Sequence, residues 1–399
     1  MKKISKIRFV FCVVYCIGLF IVCGSYPAVF AYIPEYVGGT LVEVSTSTSI
    51  QSVMMAVGGV VAATCYKRLG IKLSMILSGV AALVYAVLLG LMPSVLFCHV
   101  AFAVLGAVWG IGGIACVGNL LGRLFGSESG KYMPICVGTG MLTSGVAQGV
   151  AGFLFENFGI KLVFLIECGV GAVIMLIMAL LISVPKEETA VEEQSVGGQA
   201  DESTAKKPNV YVNPAVWLFW IGTIVVTIAL APILTYVTAY LPECGMTVST
   251  AATVMSMLGI GNGIFNLLIC GKLMQKMNIK AFVLFESVCF VGAAGMFLVY
   301  GQFQSVIVIA AIVLLYAVGC SASSLFLIAS PVIFDMETSA QVMTKGTTCQ
   351  AIGNMVAPIL VALFVTSYGY ASAYVVAVVG AAIALVLHYL AVCMAKKSA

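Results

Sequence analysis

The chain has 399 residues, 62% of them hydrophobic and only 9% charged, with a formal net charge of +4. A soluble domain carries roughly a quarter charged residues, so this composition excludes an ordinary water-soluble protein and makes the bilayer the expected solvent. The cations sit in short gaps without interleaved aromatics, so no nucleic-acid partner is expected. The fourteen cysteines show no C-x-x-C or Cys/His ligand spacing, so neither a metal nor a disulfide framework is expected.

In chain order the apolar runs are 9–34, 45–66, 73–92, 95–121, 132–155 and 160–184, then 214–241, 247–271, 281–300, 304–334, 340–365 and 370–394. Each reaches the ~20 residues a helix needs to cross ~30 Å of hydrocarbon. The first has the basic start of a signal peptide, but it is too long and lacks a small-x-small cleavage site, so it reads as a permanent helix. Eighteen of the nineteen Lys and Arg residues lie in or beside every second gap (Lys345 just inside the run 340–365), and only Lys161, just inside the run 160–184, lies beside the other set. Because positive charge near helix ends is retained on the cytoplasmic side, both termini are expected in the cytoplasm of a multi-pass plasma (inner) membrane protein.

One long polar stretch, Pro185 to Asn213, interrupts the pattern with Glu187, Glu188, Glu192, Glu193, Asp201 and Glu202. It reads as a flexible cytoplasmic linker. The two sides of it echo each other. Pro34-Glu35 recurs as Pro242-Glu243, and Arg68 to Lys72 recurs as Lys276 to Lys280, both at an offset of 208; Phe158-Gly159 with Phe164 recurs as Tyr368-Gly369 with Tyr374 at 210. The expectation is an all-α membrane protein with twelve transmembrane helices in two pseudo-symmetric six-helix bundles, 1–184 and 214–399, joined by the linker 185–213.

Twelve spans in two halves resemble the major facilitator superfamily over essentially the whole chain. After its second span that family shows G-x-L-a-D-R-x-G-R-K. The second-half copy here runs Gly271-Lys-Leu273-Met-Gln275-Lys276-Met-Asn278-Ile-Lys280; the first-half copy keeps Arg68, Gly70 and Lys72 but has Lys67 in place of the Asp and Ala63 in place of the first Gly. Drug–proton exporters of the family carry an Arg four residues before a Gly in the fourth span, where this chain has Phe102 before Gly106. The run from Gly130 to Gly138 is similar to organic-anion members such as the oxalate/formate and monocarboxylate carriers.

The resemblance implies that the first, fourth, seventh and tenth helices line a central cavity, flanked by the second, fifth, eighth and eleventh. Polar or aromatic residues near mid-depth there are Tyr26, Gln51, Trp109, Thr143 and Gln148 in the first half. Thr223, Thr227, Asn262, Asn266, Ser323, Ser324, Gln350 and Asn354 are their counterparts in the second. Polar groups at membrane depth are costly, so these are candidates for binding a small solute; helix–helix and backbone hydrogen bonds are the alternative. Glu167 and Glu286 lie inside spans with no Lys or Arg at their depth, which makes them candidate proton carriers. His99, near the outer end of the fourth span, is a candidate gate or relay. Glycines recur on one face of the fourth span (Gly106, Gly110, Gly113) and of the fifth (Gly138, Gly145, Gly149, Gly152). The resemblance implies that the fifth and eighth helices meet at the seam between the halves, where Gly145 and Gly149 facing Gly259 and Gly263 form either a sliding contact or a static packing contact. Pro27 and Pro232 either kink the first and seventh spans or loosen their outer ends for gating.

These features point to a secondary transporter working by alternating access, proton-coupled or exchanging, acting as a monomer on a small-molecule substrate without a cofactor. The absence of a mid-membrane cation favours a neutral, zwitterionic or largely apolar solute over a dianion. A membrane-embedded enzyme would need an acid/base pair, metal-ligand set or activated nucleophile, and none is spaced for it; a transporter-like sensor is the other alternative.

Overall fold

The computed structural model describes residues 3–125, 129–182, 210–334 and 336–395. Among these residues every regular element is helical. Eleven stretches, from Ile7–Val37 to Tyr370–Met394, are long and apolar enough to cross a bilayer. A twelfth helix, Ser129–Phe158, is 30 residues long, but its glycines together with Thr139, Thr143, Ser144 and Gln148 dilute its hydropathy. The twelve spans expected from sequence are therefore all helical.

Spans 1 to 6 comprise Lys3–Val29, Leu41–Arg68, Ile71–Leu91, Val95–Gly112 continued by Ile114–Phe125, Ser129–Phe158, and the stretch from Ile160 to Leu181. Spans 7 to 12 comprise Pro214–Thr235, Val248–Ile264 continued to Lys276, Ile279–Phe303, Val306–Gly319 continued in short pieces to Ile333, Met336–Tyr368, and Tyr370–Met394. We call the end where span 1 begins proximal and the opposite end distal. The connecting turns are short because the polar residues left between apolar runs cap the next helix. Thr40 and Glu43 form a reciprocal capping box at span 2, and Ser94, Thr247, Asn278 and Ser305 accept from the first turns of spans 4, 8, 9 and 10. Gly159 and Gly369 open spans 6 and 12 at φ 82° and 80°, a left-handed conformation that explains why the repeat carries glycine at both positions.

The repeat extends to the breaks in the helices. Span 1 tightens into a 3-10 turn, Phe30–Tyr32, just after Pro27, and span 7 breaks at Tyr236, just after Pro232. Each proline removes one amide donor from the ladder one turn before the break. Span 4 is interrupted at Gly113 and span 10 by the 3-10 segment Cys320–Ser324; Gly113 and Ser321 are again 208 residues apart.

Within each half, fully buried aromatics fill the bundle: Tyr15, Tyr85, Phe102 and Phe164 in the first, Phe219, Phe297, Phe326 and Tyr374 in the second. Val84, Val173 and Val379 point outward on spans 3, 6 and 12, as a lipid-facing surface requires. The halves meet along spans 5 and 8 and along spans 2 and 11. In the first seam a Cβ on Gly259 would lie 2.9 Å from Gly145 Cα, so these backbones touch as the glycine pattern predicts. Gly149 meets Ser256 and Gly263 meets Leu142 instead of each other, and Gly152 meets Ala252. The stripe on span 4 faces its own half: Gly106 and Gly110 pack on Gln51, Met55 and Gly58 of span 2.

The end of the expected linker is packed. Val210–Val212 forms a 3-10 turn whose Val210 joins Val216, Trp220 and Val342 in a small separate apolar cluster. Lys345 lies 3.9 Å from the centre of the Tyr211 ring and hydrogen-bonds its hydroxyl, a cation–π contact. The remaining linker residues, 185–209, lie outside the described residues.

Candidate functional site

In the first half, Tyr26 of span 1 is half-buried and lies within hydrogen-bond range of Gln51 of span 2. Its ring meets Phe102 of span 4 edge-on at 5.1 Å, and Phe102 in turn meets Tyr85 at 6.0 Å. The position where exporters of the family carry an arginine is thus filled by an aromatic cluster with no charge. One turn or two deeper, Trp109 meets Phe20 edge-on at 5.3 Å, and its indole N–H lies near the Cys23 thiol. Phe20 carries no signal in sequence because it sits in an unbroken apolar run. The first-half wall is therefore aromatic, with one amide.

The second-half wall is polar. Asn262 Nδ2 donates to Ala317 O at 3.2 Å, Asn266 Nδ2 donates to Asn262 O at 3.0 Å, and the Ser321 hydroxyl donates to Asn266 Oδ1 at 3.1 Å. Spans 8 and 10 are thereby tied together at the 3-10 break. Ser323 is buried and donates to Cys320 O, whereas Ser324 is half-buried. The side-chain amides of Gln350 and Asn354, both half-buried on span 11, make no hydrogen bond among the described residues. Gln148 is buried in the seam between spans 5 and 8, its Oε1 beside Gly259.

Three hydroxyl candidates are committed to their own helices. Thr143 donates to Thr139 O at 2.8 Å, Thr223 to Phe219 O at 2.8 Å and Thr227 to Thr223 O at 2.7 Å. Thr223 and Thr227 are also buried, Thr227 against Gly353 of span 11. The backbone back-bonding considered from sequence is what these three display.

Both membrane-depth carboxyls are buried. Glu167 lies inside a π-helical turn, Val163–Cys168, and neither of its oxygens has a hydrogen-bond partner. Ser25 of span 1 is close enough to act on it, but that hydroxyl donates to Ile21 O at 2.6 Å. Glu286 is fully buried; Cys270 Sγ approaches its Oε1 at 4.0 Å and its Oε2 is unpartnered. A third buried titratable group, His388 of span 12, packs under Phe219 with neither ring nitrogen hydrogen-bonded. His99 shares a 2.7 Å hydrogen bond with Ser47, one helical turn on the distal side of Gln51.

The halves are clasped at the distal end and, beside Gln51 and Asn354, near mid-depth. Tyr32 donates to Thr238 O at 2.8 Å and stacks on Phe155 at 4.5 Å; Phe30 meets Tyr236 at 5.9 Å. Ser49 donates to Met355 O at 2.6 Å, Ser52 to Asn354 O at 3.3 Å, and Ser249 N to Glu156 Oε2 at 3.0 Å. Sequence reasoning does not isolate Ser49 and Ser52, although five consecutive hydroxyl residues, 45–49, are a heavy polar load for a membrane helix.

At the proximal end, Tyr66, Lys67, Gly70 and Arg123 line a cleft of about 450 Å³. Tyr66 is held there by donating to Ile111 O at 2.6 Å. Lys72 Nζ donates to Leu180 O at 2.8 Å, and Lys67, Arg68, Lys276 and Lys280 are exposed. Gly271 begins the short helix Gly271–Lys276. No group of three His, Cys, Asp or Glu residues among those described could hold a metal ion.

Apolar helices long enough to cross a bilayer, packed together along spans 5 and 8 and spans 2 and 11, define a multi-pass membrane protein. The chain belongs to the Major Facilitator Superfamily, whose family model matches residues 10–344. Among solved structures it is similar to a bacterial homologue of the lysosomal transporter Spinster (14% identity, covering 100% of both chains, TM-score 0.78). It is also similar to the nucleoside transporter NupG (17% identity, 98% of this chain and 100% of that one, TM-score 0.72). A D-xylose–proton symporter matches at 14% identity over 96% of each chain with a TM-score of 0.69. No curated protein matches the chain.

Proposed function

We propose that this secondary transporter moves a small neutral or zwitterionic organic solute across the plasma membrane by alternating access, its two halves rocking about a mid-depth site. The single observation that carries the cargo class is the lining: Tyr26, Gln51, Trp109, Asn262, Asn266, Gln350 and Asn354 offer aromatic faces and amides, and no Lys or Arg among the described residues accompanies them. An anionic cargo would leave water for a site without a compensating cation, at a cost several hydrogen bonds cannot recover. Nucleoside and D-xylose, named for two of the similar folds, are neutral hydroxyl-rich solutes, the class to test first.

In this reading the proximal end is cytoplasmic, with Lys67, Arg68, Lys72, Lys272, Lys276 and Lys280 on the retained side. The distal clasp closes the outer gate. Glu167 and Glu286 take up the coupling proton, and the chain acts as a monomer. Uptake of a labelled panel into proteoliposomes, with and without a pH gradient, tests this. Saturable movement of neutral solutes and none of oxalate is expected; transport of dianions alone would refute the cargo class, and no solute flux by folded protein would refute the carrier reading.

A further inference from the structure

The described chain contains two π-helical turns, Val163–Cys168 in span 6 and Phe265–Cys270 in span 8. A π-turn holds one residue more than the α ladder allows, is rare, and persists where its surroundings demand it. Each of these lies at one of the two orphaned carboxyls. Glu167 is inside the first, and Cys270, the last residue of the second, makes the one hydrogen-bonded approach to Glu286.

The second π-turn also carries Asn266, the residue that receives the Ser321 hydroxyl from the 3-10 segment of span 10. Cys320, the first residue of that segment, lies within electrostatic range of Glu286 and donates to Tyr316 Oη at 3.3 Å. Gly319 just before it packs directly on the Phe290 backbone of span 9, where a Cβ would lie 2.3 Å from Phe290 N. Glu286 therefore stands between the two irregular segments of the second half, one of which presents Asn266 and the other Ser321, Ser323 and Ser324.

We infer that Glu286 is a proton-binding switch for the cavity wall: its protonated carboxyl holds span 8 in the π-register that aligns Asn266 with Ser321, and its ionisation releases that register. The inference rests on the carrier reading for its role in transport. A fully buried carboxylate needs hydration or a donor; the Cys270 thiol is a weak one, and Oε2 has none. Ionisation thus favours any rearrangement that admits water beside Oε2, and the irregular π-turn is the adjacent element able to move. Its return to α-register would rotate one flank of span 8 against the other by about 100° and shift it by about 1.5 Å, enough to part Asn266 from Ser321. The titratable groups facing Glu286 are Cys270 from span 8, Cys289 from its own helix and Cys320 from span 10. Span 12 sends no charge to it, because His388 faces Phe219 and Gly222 of span 7.

Hydrogen exchange of the full chain in lipid nanodiscs, monitored by mass spectrometry between pH 5 and 9, reads this without any solute. After correction for intrinsic exchange, protection of residues 265–270 should fall with rising pH by roughly 2- to 10-fold, the loss expected for one neutral hydrogen bond. In Glu286→Gln it should stay at the low-pH value throughout. Cys270→Ala, which keeps the carboxyl, should retain the pH dependence with a displaced midpoint. A wild-type profile that tracks intrinsic exchange alone, or a wild-type-like profile in Glu286→Gln, overturns the inference. Absence of solute flux with the exchange profile intact would instead count against the carrier reading.

Discussion

Replacing Ser49 and Ser52 by alanine should open the distal gate. Both hydroxyls reach from span 2 to backbone carbonyls of span 11, at 2.6 Å (Ser49) and 3.3 Å (Ser52). Ser49 is much nearer to Met355 O than to Ser45 O of its own helix at 3.3 Å, whereas Ser52 is shared with Thr48 O at 3.2 Å, so Ser49 carries most of the preference for the state in which the halves touch. A neutral side-chain hydrogen bond contributes about 0.5–1.5 kcal/mol net. The short, buried Ser49 bond belongs near the top of that range and the longer Ser52 bond near the bottom. Together they supply about 2 kcal/mol, so their loss should raise the ratio of distal-open to distal-closed molecules roughly 30-fold, at tenfold per 1.4 kcal/mol. Alanine fits both helical sites, so folding should be retained. Spin labels at Pro93 and Phe303, exposed distal positions in opposite halves, would report the change by double electron–electron resonance in a cysteine-depleted background. A longer-distance population should appear in the double mutant and be smaller in Ser52→Ala alone. An unchanged distribution, or a larger effect from Ser52 than from Ser49, would refute the reasoning.

Gly259→Val should jam the seam of spans 5 and 8, because its Cβ would sit 2.9 Å from Gly145 Cα; transport should fall while size-exclusion behaviour stays normal, and full activity would show that the seam does not slide. Gly222→Ala should lower stability by about 1–3 kcal/mol through overpacking, since the new methyl would lie 2.6 Å from His388 Cδ2. His388→Leu removes two unpartnered ring nitrogens and should be neutral or stabilising in thermal unfolding; marked destabilisation would reveal a partner for the imidazole. Glu167→Gln and Glu286→Gln should each abolish pH-driven accumulation in proteoliposomes while sparing exchange of solute, and unchanged accumulation in both would remove protons from the coupling scheme. Asn262→Ala and Asn354→Ala should weaken solute affinity about 5- to 10-fold for one lost hydrogen bond. Unaltered affinity in both would move the site elsewhere.

Much of the architecture is legible in sequence because bilayer thickness imposes a length on every span and charge retention marks their ends. The breaks of spans 4 and 10 keep the repeat offset of 208, but in sequence Gly113 reads only as part of a small-residue face and marks no break. The site is less legible. Thr223, Thr227 and Asn266 have similar depth and polarity in one dimension, yet the two threonines bond back to their own helix while Asn266 reaches span 10. Nothing in the local sequence distinguishes these outcomes. Spans that are apolar on nearly every face carry almost no periodic signal of which side faces protein.

The sequence by itself therefore determined the all-helical, multi-pass architecture and the scarcity of cations within the spans, both of which result from transfer energies that act residue by residue. The tertiary structure alone decided which glycines touch across the seam, which hydroxyls clasp the distal end, and that each buried carboxyl lies beside a π-turn. Those outcomes depend on helix rotation and register, which are set by packing between spans far apart in the chain.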